Sequence, residues 1–227
     1  MNIQLPPQFP PAPRVTIEVV QDLVCPWCRL GVRRLLRALR RRPELRISLI
    51  WRPFLLNPDI ARSGMPRGEY VVRKFGGEDR ARRLYASIAE IGRGDGLEFR
   101  FDLIRRTPSS VDAHRLLRWA AGREVDVSAL VEALYTAHFT QGQDIGDQRV
   151  LATIAGSHGL NPTAALHFLA SDRESEMVFA ENLRAHRLGI NGVPCFVIGG
   201  RHAIAGAQDL AVLDRLLDVA LVEAAEG

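Results

Sequence analysis

Residues 15–24, VTIEVVQDLV, form a β-branched, mostly apolar run that leads directly into CPWC at 25–28. Such a run suits a buried strand. Pro26 suits the first turn of a helix, where its missing N–H would have had no partner in any case. The helix predicted from there runs to about Arg42 and is stopped by Pro43. Leu45, Ile47, Leu49 and Trp51 alternate with more polar neighbours as a second strand, which Pro53 ends. Strand, helix and strand in this order make a βαβ unit, and they set the cysteine pair at a strand-to-helix junction.

The chain has 227 residues and three cysteines, so the cysteines cannot all pair within it. A bridge between Cys25 and Cys28 would close too short a loop to be a useful crosslink, which favours chemistry. Disulfide exchange proceeds through a thiolate, and the N–H groups and positive dipole end of a helix favour negative sulfur at Cys25. A stabilised Cys25 thiolate is also readily displaced from a mixed disulfide. Cys28, one turn further in, is placed to resolve that mixed disulfide. Pro26 and Trp27 bring no positive charge between the sulfurs, so the expected potential is more reducing than the about −120 mV of the most oxidising enzymes of this chemistry. Trp27 equally suits a docking surface for an unfolded substrate.

Five prolines in the first thirteen residues predict an extended or disordered arm over 1–13. From about Arg62 to His186 the periodicity is helical, broken at glycine clusters, and accommodates five to seven helices with Ser109, Ser110 and Asp126 as caps. Residues 195–198 and 202–205 read as a hairpin around Gly199 and Gly200, and 208–223 as a last amphipathic helix. The net charge of +4 is carried almost wholly by arginine. The densest run, Arg33, Arg34, Arg37, Arg40, Arg41, Arg42 and Arg46, falls opposite the apolar stripe Val32, Leu35, Leu36 and Leu39 and reads as a solvated helix back rather than a nucleic-acid face. No apolar stretch is long enough to span a membrane. The first residues lack an export signal, so a reducing cytoplasm is the expected compartment.

The whole pattern resembles the DsbA-like thioredoxin-fold oxidoreductases, in particular their FrnE-like branch. The carrying segments are VVQDLVCPWC, WRPFLLNP, DAHRLLRWA at 112–120, HFTQGQDIGD at 138–147 and LGINGVPCFVIGGRHAIAGAQ at 188–208. The resemblance implies an α/β thioredoxin-like fold, βαβ…ββα, with residues 14–60 and 188–227 as the core and 61–187 as a large all-helical insertion. It also implies that Val193-Pro194 forms the second half of the site, with a cis peptide bond and a backbone edge for an extended substrate. Enzymes of this kind often hold a buried acid six residues before the first cysteine. Here that position is Val19, leaving Asp22 as a candidate proton relay against the alternative of a solvated strand-end carboxylate.

The expected catalytic residues are therefore Cys25, Cys28 and Pro194, with Pro26, Trp27, Val193, Cys195 and His114 binding substrate. Cys195 also reads as a small buried hydrophobe, and only with Cys25, Cys28 and a histidine such as His202 would it complete a zinc site, so no metal is expected. His114 and His138 are groove candidates, although a lone helical histidine more often serves packing. Trp119 and Phe139 read as core. The expected activity is disulfide exchange with protein or small-molecule thiols, without a bound cofactor but with glutathione as a candidate redox partner. Neither a nucleic-acid nor a membrane partner is expected, and the oligomeric state is left open. The alternative is a glutathione-dependent isomerase similar to 2-hydroxychromene-2-carboxylate isomerase. Those enzymes usually carry serine at the first cysteine, and retention of both Cys25 and Cys28 favours exchange.

Overall fold

A computed structural model describes residues 14–43 and 45–226. The expected arm at 1–13 lies outside the described residues. Strand β1 (Arg14–Gln21) is followed by α1 (Pro26–Arg40) and β2 (Arg46–Pro53). The two strands pair in parallel from Arg14 opposite Arg46 to Gln21 opposite Pro53. β1 stops three residues short of the predicted end because Asp22 turns the chain. Its Oδ1 accepts the Val24 N–H at 3.3 Å, and its carbonyl accepts the Cys25 N–H at 3.0 Å.

The segment after β2 contains a two-residue strand β3 (Met65–Pro66), α2 (Arg67–Phe75), α3 (Glu78–Gly94), a 3-10 turn at 101–103 and β4 (Arg106–Thr107). β3 and β4 pair antiparallel, so the insertion is not all-helical as expected. The segment Arg106-Thr107 has no strand periodicity of its own. Pairing is created by the return of the chain past Met65, which a local pattern cannot register. There follow α4 (Val111–Ala121), α5 (Val127–Phe139), α6 (Gln148–Ser157), α7 (Pro162–Ala170) and α8 (Ser175–Arg187). Asp126 caps α5 by accepting the Ser128 and Ala129 N–H groups, whereas Ser110 begins α4 without a side-chain cap bond. The hairpin β5 (Cys195–Ile198) and β6 (His202–Ala205) and the closing helix α9 (Leu210–Glu226) complete the described chain.

The main sheet has the order β2-β1-β5-β6, with β5 antiparallel to both β1 and β6. α1 packs on α9, which lies on β1 and β5, and a second layer, α8 with α4, reaches β2. Strand alternation divides the side chains between these layers. Ile17, Val19 and Phe196 enter the main core, while Val20 and its partner Cys195 join Phe54 and Ala185 in a separate small cluster.

The arginine face of α1 is less solvated than its spacing suggests. Arg34 meets Asp95 at 2.8 Å, Arg33 meets Glu132 at 3.1 Å and Arg41 meets Asp214 at 3.3 Å. Helical spacing located the polar back of α1. It did not show that α3, α5 and α9 bring carboxylates against it.

Candidate active site

Cys25 is the N-cap of α1, and its sulfur accepts the Cys28 N–H at 3.4 Å. The bond exists because the turn at Asp22 leaves Cys25 extended and lets Pro26 begin the helix. Both thiols are free, with Cys28 wholly buried and Cys25 almost so. Burial pushes the Cys28 thiol well above its usual range, with the neighbouring Cys25 adding to the rise.

Val193 faces this pair, its carbonyl oxygen 3.8 Å from Cys25 Sγ, and the Val193-Pro194 peptide is cis. Pro194 is buried beside Gly31 of α1, where an added Cβ would meet Pro194 Cγ at 2.6 Å. The absence of a side chain at Gly31 is thus what lets the segment carrying Val193 and Pro194 approach the helix that carries the thiols.

Cys25, Pro26, Trp27 and Val193 border a cavity of about 320 Å³. Its other wall comes from the insertion. Tyr70 and Phe75 of α2, Tyr85 of α3, then Phe101 and Phe139 form a chain of ring contacts 4.4–6.0 Å apart. Arg67 and Lys74 supply positive charge at this wall, and the Arg67 guanidinium stacks on Tyr85 at 4.9 Å. A larger cleft of about 480 Å³ between α1, α5 and α6 touches neither Cys25 nor Cys28. The smaller cavity is the one positioned for thiol chemistry.

Cys25, Cys28, Pro26, Trp27, Val193 and Pro194 are therefore brought together. Trp27 is 36% exposed at the cavity rim. Two expected substrate contacts are not. Cys195 lies in the small cluster with Val20, Phe54 and Ala185, because its register opposite Val20 turns it away from the main core. Burial raises its thiol, which makes it a poor nucleophile, and its place in that cluster sets it apart from Cys25 and Cys28. Among the described residues no group of three or more His, Cys, Asp or Glu is arranged to hold a metal ion.

His114 is also displaced from the expected groove wall. It is 2% exposed inside α4, with Nε2 3.6 Å from Asp22 Oδ1. Asp22 itself is fully buried rather than a solvated strand-end carboxylate. His138 does line the cavity, and burial lowers its imidazole to about 4. Trp119 and Phe139 are buried, Trp119 stacked on Phe168. Tyr70, Phe75, Tyr85 and Phe101 escaped the sequence reading. The available signal was a concentration of aromatic residues between 70 and 101, whose shared direction depends on how α2 and α3 fold back.

A family model of the DSBA-like thioredoxin domain matches residues 16–218, and the chain belongs to that family. The probable DsbA oxidoreductase of Streptomyces coelicolor is 28% identical, with a TM-score of 0.82 over 92% of this chain and 91% of that one. The cytosolic disulfide reductase DsbM of Pseudomonas aeruginosa, solved with glutathione, is 20% identical with a TM-score of 0.63, over 91% and 98% of the two chains. A 2-hydroxychromene-2-carboxylate isomerase shares the fold at 15% identity and a TM-score of 0.67, over 93% and 98%. Among curated protein sequences none matches significantly. The fold is that of DsbA-like thiol oxidoreductases. No described helix is long and apolar enough to cross a membrane.

Proposed function

We propose that the chain is a thiol-disulfide oxidoreductase in which Cys25 exchanges disulfides with protein or small-molecule substrates and Cys28 resolves the mixed disulfide. The observation that carries this reading is the setting of Cys25 Sγ, which accepts the Cys28 N–H, faces the Val193 carbonyl and borders the aromatic cavity. In the reducing direction the Cys25 thiolate attacks one substrate sulfur and expels the other as a thiolate. Cys28 sulfur then attacks Cys25, the Cys25–Cys28 disulfide forms, and the second substrate thiolate leaves. Two electrons pass from the protein to the substrate. In this reading Val193 offers its backbone to an extended substrate, Pro194 holds that backbone against α1, and Pro26 and Trp27 form the rim. Glutathione is the proposed regenerating thiol, as its presence in the DsbM structure suggests. A reducing cytoplasm and the FrnE-like branch are part of the same proposal.

Insulin reduction and reaction with oxidised glutathione test it. The wild-type protein is expected to cycle, Cys25→Ser to be inactive, and Cys28→Ser to retain glutathione as a stable adduct on Cys25. Undiminished insulin reduction by Cys25→Ser would overturn the assignment. The aromatic lining of the cavity supports the glutathione-dependent isomerase as a second reading. It predicts glutathione-dependent turnover of an aromatic substrate that persists in Cys28→Ser without net oxidation.

A further inference from the structure

The cavity beside Cys25 has a lining that disulfide exchange by itself does not require. Its inner wall carries the rings of Tyr70, Phe75, Tyr85, Phe101 and Phe139, with Trp27 at the rim. Phe75 meets Tyr85 edge-on at 5.5 Å, and Tyr85 is stacked on Phe101 at 4.4 Å. The charge in this lining is of one sign. Arg67 and Lys74 border the cavity, and among the described residues that line it there is no Asp or Glu. His138 adds no charge near neutral pH, since burial lowers it to about 4.

Arg67 is held in place at this wall. It opens α2, its Nη1 donates to Thr107 Oγ1 at 3.1 Å, and its guanidinium lies 5.2 Å from the Tyr70 ring centre and 4.9 Å from that of Tyr85. None of these three partners is an anion, so the positive charge remains available to a bound one.

An extended polypeptide needs only the rim, where Trp27 and the Val193 backbone lie. It gives no reason for a recess of about 320 Å³, a size suited to a small molecule, with five rings and two cations behind that rim. Glutathione brings carboxylates but no ring. One kind of ligand meets both features, an aromatic ring that bears sulfur and a carboxylate. Its ring packs against the aromatic wall and its carboxylate accepts from Arg67.

We propose that the preferred substrates of this chain are small disulfides of aromatic thiols that carry a carboxylate. Arg67 and Lys74 set the preference for the anion, and the rings brought by α2 and α3 set the preference for the aromatic group. The inference rests on the exchange proposed above and names its substrate class. The Cys25 thiolate attacks one sulfur of the substrate, and the S–S bond breaks with its electron pair on the other sulfur, which leaves as an aryl thiolate. Cys28 releases its proton to solvent and attacks Cys25 Sγ, and the first aryl sulfur leaves in turn as a thiolate. The protein is oxidised by two electrons and the substrate is reduced to two thiolates. Two equivalents of a thiol such as glutathione, themselves oxidised to a disulfide, reopen the Cys25–Cys28 bond.

The test is the rapid-quench reaction of the reduced protein with three disulfides, read as loss of protein thiols. Ellman's reagent is a dianionic aromatic disulfide, 4,4′-dithiodipyridine a neutral aromatic one, and bis(2-hydroxyethyl) disulfide a neutral aliphatic one. Each rate constant is divided by that of dithiothreitol with the same disulfide, which removes the disulfide's own reactivity. The normalised rates are expected to fall in that order, by about tenfold at each step in low salt, and the first step should narrow to about threefold at roughly 0.5 M salt. Arg67→Gln should lower the ratio of the first rate to the second by about fivefold or more. Phe75→Leu should lower the ratio of the second to the third by about threefold. Lys74→Gln, at an exposed position, carries the charge test if Arg67→Gln does not fold. Equal normalised rates for the three disulfides, or a first ratio that neither charge variant changes, overturn the inference. A wild-type protein that reacts with none of the three would instead overturn the exchange reaction itself.

Discussion

His138 places a titratable ring in an aromatic wall, 4.6 Å from the centre of the Phe139 ring, with Nδ1 3.4 Å from the Gln143 carbonyl. Burial disfavours the imidazolium and lowers the group from 6.5 to about 4. The unfolded chain therefore binds a proton at His138 near pH 6.5, whereas the folded chain does so only near pH 4. Between these values the unfolded state holds more protons, so stability rises with pH. The contribution is complete above pH 6.5 and lost as pH falls toward 4, by up to about 3 kcal/mol. Urea midpoints measured from pH 7.5 to 4.5 should fall in wild type and change less in His138→Leu; parallel curves would contradict the assignment. The sequence marked His138 as a groove candidate. It shares the cavity wall with Tyr85 and Phe101, which local periodicity does not connect to it.

At the level of elements, the approach of α1 to the segment before β5 depends on one glycine. A Cβ on Gly31 would lie 2.6 Å from Pro194 Cγ and 3.3 Å from both Phe196 Cζ and Ala207 Cα. Gly31→Ala is expected to cost about 1–3 kcal/mol, because packed neighbours must shift to admit the methyl group. The shift would move Pro194 and Val193 away from Cys25, so insulin reduction should slow as well. Thermal unfolding together with that assay checks both, and a variant as stable and active as wild type would refute the packing argument. In the sequence, Gly31 is a minor defect inside a good helix. Both elements it joins were legible from their own residues, the helix from its apolar stripe and the hairpin from Gly199-Gly200. Their mutual contact was available only through resemblance to a known fold.

For the whole molecule, Arg29 joins the thioredoxin-like core to the inserted segment. It follows Cys28 in α1, donates to the Glu98 carbonyl and Thr140 Oγ1 at 2.7 Å each, and stacks over Phe99 at 4.8 Å. One continuous hydrophobic cluster runs from Ile17 and Leu35 of the core to Leu116, Leu134 and Phe168 of the insertion. Core and insertion should therefore unfold in a single transition, with far- and near-ultraviolet circular dichroism coinciding. Arg29→Ala should lower stability by about 1–3 kcal/mol by removing two hydrogen bonds and the stacked cation, although the Glu98 carbonyl keeps the bond it accepts from Thr140 Oγ1. An earlier, separate loss of helical signal in wild type would show that the two parts are not coupled. The sequence by itself determined the order of strands and helices, the placing of Cys25 and Cys28 at a helix N-terminus, and the hairpin that follows Pro194, because each is written in neighbouring residues through period, proline and glycine. Only the tertiary structure decided that Cys195 turns away from the thiols, that His114 lies against Asp22, and that aromatic residues of α2 and α3 close the cavity. Those outcomes depend on register and on helix packing between residues far apart in the chain, and no local pattern encodes them.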